Sequence, residues 1–349
     1  MKMNFASGMG RNERMDEIAE LARLADEYGF SHATFVDEPY LARDVHIMAT
    51  VAALNTKRLI IGQGVVDPQT YHPSALANAA ASLHELTGGR AFLGLGAGGP
   101  FGKLMARPIG HKALREAVQF VRKFLDGDEA EYYGQDMVSE WIGNRRVPIY
   151  LAADGPKALE LAGEIADGVI FMGGPPDYVK WKVESVYRGA EKVGRDPTKI
   201  DICVRSYVYV TDDKQSAHRE LAGFVPFGAH VFHRYTKIAP VMKVFERLDR
   251  EQPGIVDDMK QFFAGAQAHS RQDGYNPWFE KIDAPYAHLM SMRQIECIHI
   301  VGSVEEICEK IHALGEVGVT TIATANYTII DKKRMITDVG EQIMPHFRS

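Results

Sequence analysis

Cysteine is scarce in this chain. Its 349 residues hold three, Cys203, Cys297 and Cys308. No two of them stand at the spacing of a zinc site or a redox pair, so the pattern gives no disulfide framework and points to buried thiols in a reducing compartment. Charge of one sign is also missing. The formal net charge of -6 gives no bulk attraction to nucleic acid or to an anionic membrane, and neither is expected as a partner. No apolar run is long enough to span a bilayer. The opening stretch "MKMNFASGMGRNER" lacks the apolar core of a signal peptide, so a cytoplasmic protein is expected. The histidines of residues 218–299 show neither H-x-x-x-H nor H-E-x-x-H spacing, so no metal site is expected. A G-x-S-x-G elbow and a P-loop are both absent.

What is present is an ordinary core and a rhythm. Hydrophobic residues make up 46% and charged residues 25%, the balance of a soluble globular protein. Strand-like and helix-like segments alternate. "MNFAS" (3–7), "HATFVDE" (32–38), "RLIIGQGVV" (58–66), "RAFLGLG" (90–96), "VPIYLAA" (147–153), "DGVIFMG" (167–173), "IDICVRSYVYV" (200–210) and "TTIATAN" (320–326) read as strands. Between them lie apolar periodicities of 3.6, at 14–30, 45–56, 73–89, 109–127, 156–166, 177–194 and 303–319, with a closing helix over 332–347. Residues 128–146 read as a surface excursion. Eight strands with crossover helices fit a (β/α)8 TIM barrel, with the open doubly wound sheet as competitor. Residues 216–299, rich in aromatics and histidine, break the rhythm. With no linker or low-complexity tract in sight, we expect one domain over 1–349 with a helical and loop insertion at 216–299, before the last βα unit.

In such a barrel the chemistry sits just beyond the strand carboxyl ends. Those positions hold Asp37, Glu38 and Tyr40 after the second strand, and Asp67, Tyr71 and His72 after the third. "GAGGPFGK" follows the fourth, "ADGPK" the fifth, "MGGPP" the sixth, and Asn326 and Tyr327 the eighth. Glycine turns at helix starts suit a phosphorylated ligand, because backbone can approach and N–H groups lie open; they also simply make βα turns. Asp37 and Glu38 are candidates for general acid and base. One of them could instead cap the next helix or pair with Arg43. His72 could contact a ligand or cap the third helix. Gly94, Gly96 and Gly99 have the spacing G-x-G-x-x-G, but they follow the fourth strand, and no strand ending in an acid follows at the distance a ribose contact needs.

The stretch "RLIIGQGVVDPQTYHPSALANAAASLHELTGGRAFLGLGAGG" resembles the bacterial-luciferase-like flavin and deazaflavin oxidoreductases. Within them the chain is most similar to methylenetetrahydromethanopterin reductase and its coenzyme F420-dependent relatives. "VPIYLAADGPKALELAGEIADGVI", "YRGAEKVGRDPTKIDICV" and "GSVEEICEKIHALGEVGVTTI" fit the same group, so the likeness covers roughly 1–215 and 300–345. It implies a luciferase-like barrel, a homodimer, a small-molecule substrate and F420 or FMN at the strand ends. It implies a non-proline cis peptide at Gly64–Val65, with Val66 beside it, against the cofactor ring. Gly155, Pro156 and Lys157 match the cofactor phosphate site, Asp37 the acid near the cofactor, and Ala97 and Gly98 the backbone lining the ring or tail.

Departures from the pattern bear on substrate. Asp37-Glu38 stands where relatives carry Asp-His. Gly99 replaces an acid, and Ala6 to Gly8 replaces a glutamate placed at the end of strand one. These imply an F420-dependent oxidoreductase that moves hydride between the deazaflavin and a substrate other than methylenetetrahydromethanopterin, with Glu38, Asp37 or His72 as proton carrier. An FMN-dependent monooxygenase and a non-catalytic barrel are the alternatives. Phe232, His233, Tyr235, Trp278 and Tyr286 of the insertion could form a substrate lid or a dimer surface.

Overall fold

The computed structural model describes residues 1–11, 13–39, 42–97, 109–222, 238–272, 287–324 and 331–348. Eight parallel strands close a barrel in the order β1-β12-β9-β8-β7-β4-β3-β2. The strands are β1 (Asn4–Met9), β2 (His32–Phe35), β3 (Ile60–Val66), β4 (Ala91–Leu95), β7 (Ile149–Ala152), β8 (Gly168–Met172), β9 (Asp201–Ser206) and β12 (Thr321–Thr324). Such strands are covered on both faces, so they are apolar without strict alternation; every residue of β2, β4, β8 and β12 is buried.

Contacts gather the chain into two compact units. The first is Asn4–Phe171 with Glu184–Cys203. It carries α1 (Met15–Tyr28), α2 (Val45–Leu54), α3 (Pro73–Leu86), α4 (His111–Asp126) and α5 (Pro156–Ile165) between its strands. The end of α1 shows why the helices stop where they do. Gly29 takes φ +84° and its N–H returns to the carbonyls of Ala25 and Asp26, a left-handed cap that glycine makes without steric cost. The excursion at 128–146 contains a hairpin, β5 (Ala130–Tyr132) with β6 (Gln135–Met137).

The second unit is Met1–Met3, Met172–Val183 and Val204–Ser349. It holds β10 (Val208–Val210), α7 (Lys214–Leu221), α8 (Ala239–Glu251), α9 (Ile255–Gln272), α10 (Met292–Ile298), β11 (Ile300–Gly302), α11 (Val304–Glu316) and α12 (Lys332–Asp338). The helix α6 (Pro176–Lys192) contributes to both units.

Two expectations change. The strand expected over 200–210 is two, and β10 leaves the barrel to pair in parallel with β11. The reason lies at Tyr207. Its N–H meets His299 Nδ1 at 3.3 Å and its carbonyl accepts from Ile300 N at 3.0 Å, which draws the backbone onto partners 92 and 93 residues away in the chain. The two ends of the 216–299 segment are thereby clasped, Val208 opposite Ile300 and Val210 opposite Gly302. The closing helix expected over 332–347 stays α-helical only to Asp338, and then passes through a π turn (Val339–Ile343) and a 3-10 turn (Met344–Phe347) at Pro345, which has no N–H to give. The described parts of the segment between those clasped ends are helical. Phe232, His233, Tyr235, Trp278 and Tyr286 lie outside the described residues, as do Tyr40, Gly98, Gly99, Asn326 and Tyr327.

Candidate functional site

The site builds from the carboxyl ends of β1 to β4, all within the first unit. β1 runs to Met9, two residues beyond the expected strand. Ala6 to Gly8 are therefore inside the strand, and the loop beyond it brings Arg11 and Glu13, both buried. The loop after strand one carries an acid, Glu13, four residues beyond Met9. Glu13 Oε2 accepts from Gly10 N at 3.1 Å and Arg11 N at 2.8 Å. The loop held this way delivers the Arg11 guanidinium, whose Nε lies 3.4 Å from Glu38 Oε2. Arg11 is thus an ion-pair partner of Glu38, 27 positions away in the chain. The cap of α2 is Asp44, whose carboxylate accepts from His46 N and Ile47 N. Neither Asp37 nor Glu38 supplies it.

Asp37 follows β2 by two residues. Tyr71 Oη donates to Asp37 Oδ1 across 3.4 Å. Burial pushes the Asp37 carboxyl up to about 6; the carboxylates of Asp44, Asp67 and Glu38 push the same way, and the Tyr71 hydroxyl opposes them. Tyr71 is pushed up to about 12, first by burial and then by Asp37 and Asp44. Asp67, at the end of β3, is also raised by burial, while its Oδ1 accepts from Gln69 N at 2.9 Å. His46 completes the cluster and was missed by the sequence reading. Its ring stands edge-on to Tyr71 with centroids 5.2 Å apart, and its Nδ1 lies 3.3 Å from Gln63 Nε2. Burial lowers its pKa, against the pull of Asp44. Gln63 is 1% exposed, and among the described residues its Oε1 meets no donor.

His72 sits apart from that cluster. Its Nδ1 caps α3, accepting from Ser74 N at 3.2 Å, and its ring packs edge-on to Phe120 and Tyr132.

The peptide Gly64–Val65 is cis, as the resemblance implied. Around it the pairing of β3 with β4 slips, from Gln63 opposite Leu93 to Val66 opposite Leu95, a bulge beside the candidate site. The slip accounts for two of the glycines that mimic a dinucleotide fingerprint. A Cβ on Gly94 would lie 2.1 Å from the Gln63 carbonyl oxygen, and one on Gly96 would lie 2.6 Å from Val65 Cγ2. These glycines let β4 close against the bulge. Gly64 in turn brings its backbone against Thr34, whose Cβ a methyl group would meet at 3.0 Å. Ala97, partly exposed, is the next described position. Gly155 is the N-cap of α5, with Pro156 at its start, Lys157 exposed and no side chain capping the turn. That leaves early helix N–H groups for a ligand anion or for water.

A groove of about 880 Å³ lies elsewhere, lined by residues including Phe120, Arg122, Glu164, Asp167 and Arg195. Several of its charges pair with one another or with backbone. Arg122 pairs with Asp167, Arg115 with Glu164, and Arg195 donates to the Gly163 and Ala166 carbonyls at the end of α5. Asp167 precedes β8, so this groove belongs with strand starts, and we do not read it as the catalytic site. Among the described residues no group of three or more His, Cys, Asp or Glu could hold a metal ion, and no helix is long and apolar enough to cross a membrane.

Known proteins align with the chain, some over nearly all of it. The chain is 29% identical over 354 residues to 5,10-methylenetetrahydromethanopterin reductase of Methanolobus tindarius, covering 98% of this chain and 100% of that protein. It is 32% identical over 230 residues to F420-dependent glucose-6-phosphate dehydrogenase of Nakamurella multipartita, covering 58% of this chain and 66% of that protein. The solved F420-dependent tetrahydromethanopterin reductase of Methanopyrus kandleri superposes with a TM-score of 0.80 at 23% identity, over 99% of this chain and 100% of that one. The FMN complex of the oxygenating constituent of 3,6-diketocamphane monooxygenase from Pseudomonas putida gives 0.65 at 20% identity, over 99% of each chain. Both superpositions speak for the fold. A sequence model of the luciferase-like monooxygenases matches residues 2–321, and the chain belongs to that family of oxidoreductases.

Proposed function

We propose that the protein is a coenzyme F420-dependent oxidoreductase that moves hydride between the deazaflavin and an organic substrate, with Asp37 as proton carrier. The observation that carries this reading is Asp37 itself. A carboxyl raised to about 6 beside a tyrosine hydroxyl, at the end of a barrel strand, is poised to take or give a proton near neutral pH. Hydride transfer at a carbon bonded to oxygen or nitrogen leaves, or requires, a proton on that heteroatom, and Asp37 is suited to hold it. Glu38 is paired with Arg11 and suits charge balance better than proton transfer.

The residues fit the cofactor. Gln63 carries a buried acceptor with no donor among the described residues, the backbone at Gly64, Val65 and Val66 is bulged, and α5 begins without a side-chain cap. Gly64, Val65, Val66 and Ala97 would lie against the ring, and Gly155, Pro156 and Lys157 would hold the phosphate. When bound, the deazaflavin supplies the carbon that accepts or gives the hydride. The names of the relatives support F420 first. FMN is the second reading, favoured by the family's monooxygenase description and the FMN-bound neighbour.

The substrate we propose is one other than methylenetetrahydromethanopterin. The reading rests on Ala6 to Gly8 in β1, on Glu38 and on Gly99, with Glu13 a further acid in the loop after β1. We also propose a homodimer, supported by the exposed apolar side chains Ile47 and Leu54 of α2 and Leu86 of α3, which are 55%, 68% and 48% exposed. Fluorescence titration of the purified protein with F420 and with FMN tests the cofactor. Saturable binding of F420 is expected, and tight FMN binding without F420 binding would overturn the first reading.

A further inference from the structure

A line of contacts runs through the site and ends on Asp37. Gln63 Nε2 lies 3.3 Å from His46 Nδ1. The His46 ring meets the Tyr71 ring edge-on, at 5.2 Å and 84°. Tyr71 Oη lies 3.4 Å from Asp37 Oδ1. The members come from β3, from the first turn of α2 and from the loop before α3. Helix capping does not explain them, because Asp44 caps α2 and His72 caps α3. The last contact is long for an O–H···O bond, and such bonds often tighten only when a ligand arrives.

We propose that Tyr71 is a positioning residue for Asp37, held in place through His46 and Gln63, so that Asp37 and not the neighbouring Glu38 exchanges the proton with substrate. This rests on the reading of Asp37 as proton carrier given above. The groups facing Asp37 are Glu38 and Asp44 from the stretch between β2 and α2, Asp67 from the end of β3, and Tyr71 from the loop before α3. Arg11, from the loop after β1, faces Glu38. The three carboxylates all favour the protonated form of Asp37. Among the described residues, the Tyr71 hydroxyl is the group that favours the ionised form. A carboxyl surrounded only by acids would hold its proton too tightly to act as a base near neutrality, and one hydrogen bond from a phenol corrects that.

The test uses the ligand-free full-length protein. Aspartate labelled with 13C at its carboxyl is followed by NMR across pH, with Asp37→Asn identifying the resonance. In Tyr71→Phe the Asp37 midpoint should rise by about one to two units, the scale of one lost hydrogen bond to a charged group. His46→Ala should give a smaller rise. A midpoint unchanged in a folded Tyr71→Phe protein overturns the proposal. Should that variant not fold, global 3-fluorotyrosine, a stronger donor, should lower the midpoint in the wild-type chain, and no movement overturns the proposal equally. Failure of the wild-type protein to bind F420 would sink the proposed function without touching this titration. A midpoint that moves while the pH–rate profile stays fixed would overturn the proton-carrier role of Asp37.

Discussion

Two polar clusters among the described residues carry displaced pKa values and differ in form, and one of the two has the form of an active site. In the first unit, Asp37, Tyr71, His46 and Asp67 lie half-buried at strand ends, and their displacements bring a carboxyl to about 6. In the second unit, His299, Lys310 and Cys297 form a knot. His299 is pushed down to about 3 and Lys310 down to about 8, chiefly by burial, and Cys297 is pushed up to about 11. The hydrogen bonds of that knot tie side chains to backbone, apart from the Ser206 hydroxyl 3.4 Å from His299 Nδ1. Lys310 Nζ donates to the Glu296 and His299 carbonyls at the end of α10, and Tyr207 N donates to His299 Nδ1. The comparison teaches that a displaced pKa marks burial, and that burial marks function only where the group remains reachable and its partners are other titratable side chains.

The largest expected effect separates the clusters directly. Asp37→Asn should lower turnover by about 10²–10⁴-fold, the usual range for losing a proton carrier, with the fold retained. Lys310→Met should do the reverse. It leaves two carbonyls of α10 unmet and should cost about 1–3 kcal/mol in denaturant unfolding, with turnover per folded molecule unchanged. Steady-state kinetics and urea melts on both variants check the pair. Next in size, Gly155→Asp should weaken F420 binding by about tenfold, by placing a carboxylate where helix N–H groups are proposed to meet phosphate. Unchanged affinity in the fluorescence titration would move the phosphate site elsewhere.

The pH dependence of stability should carry opposite signs in the two regions. Between the ordinary value of 3.8 and about 6, folded Asp37 keeps a proton that the unfolded chain has released. Its contribution to stability therefore falls as pH rises through that window, and Asp37→Asn should flatten the slope. Between about 8 and 10.5 the unfolded chain holds a proton that folded Lys310 has lost. That contribution rises with pH, and Lys310→Met should remove it. Unfolding free energies measured across pH distinguish the two slopes. The smallest effect belongs to His72. His72→Ala should cost about 1 kcal/mol by removing the cap of α3, whereas a large loss of kcat without loss of stability would bring the ring into the chemistry.

The barrel was legible in the sequence because each βα unit is local. Eight apolar strands and their helices can be read from periodicity alone, and the glycine-rich turns mark where strands end. The cis bond at Gly64–Val65 was legible only through resemblance. What escaped is non-local. Arg11 reaches Glu38 across 27 positions, His46 reaches Gln63 across 17, and Tyr207 reaches Ile300 across 93. No periodicity encodes such pairings. Glu13 escaped because its partners are the N–H groups of Gly10 and Arg11 in the loop after β1, which no periodicity marks. The reason for Gly94 and Gly96 escaped in the same way, since the carbonyl and side chain that require them belong to the neighbouring strand.

A crystal structure of the protein with F420 tests the central claim most directly. The account expects the ring against Gly64, Val65 and Val66, the phosphate at Gly155 to Lys157, and Asp37 with Tyr71 facing the space above the reactive carbon. A ring bound away from the ends of β2 to β4, with Asp37 remote from it, would contradict the account.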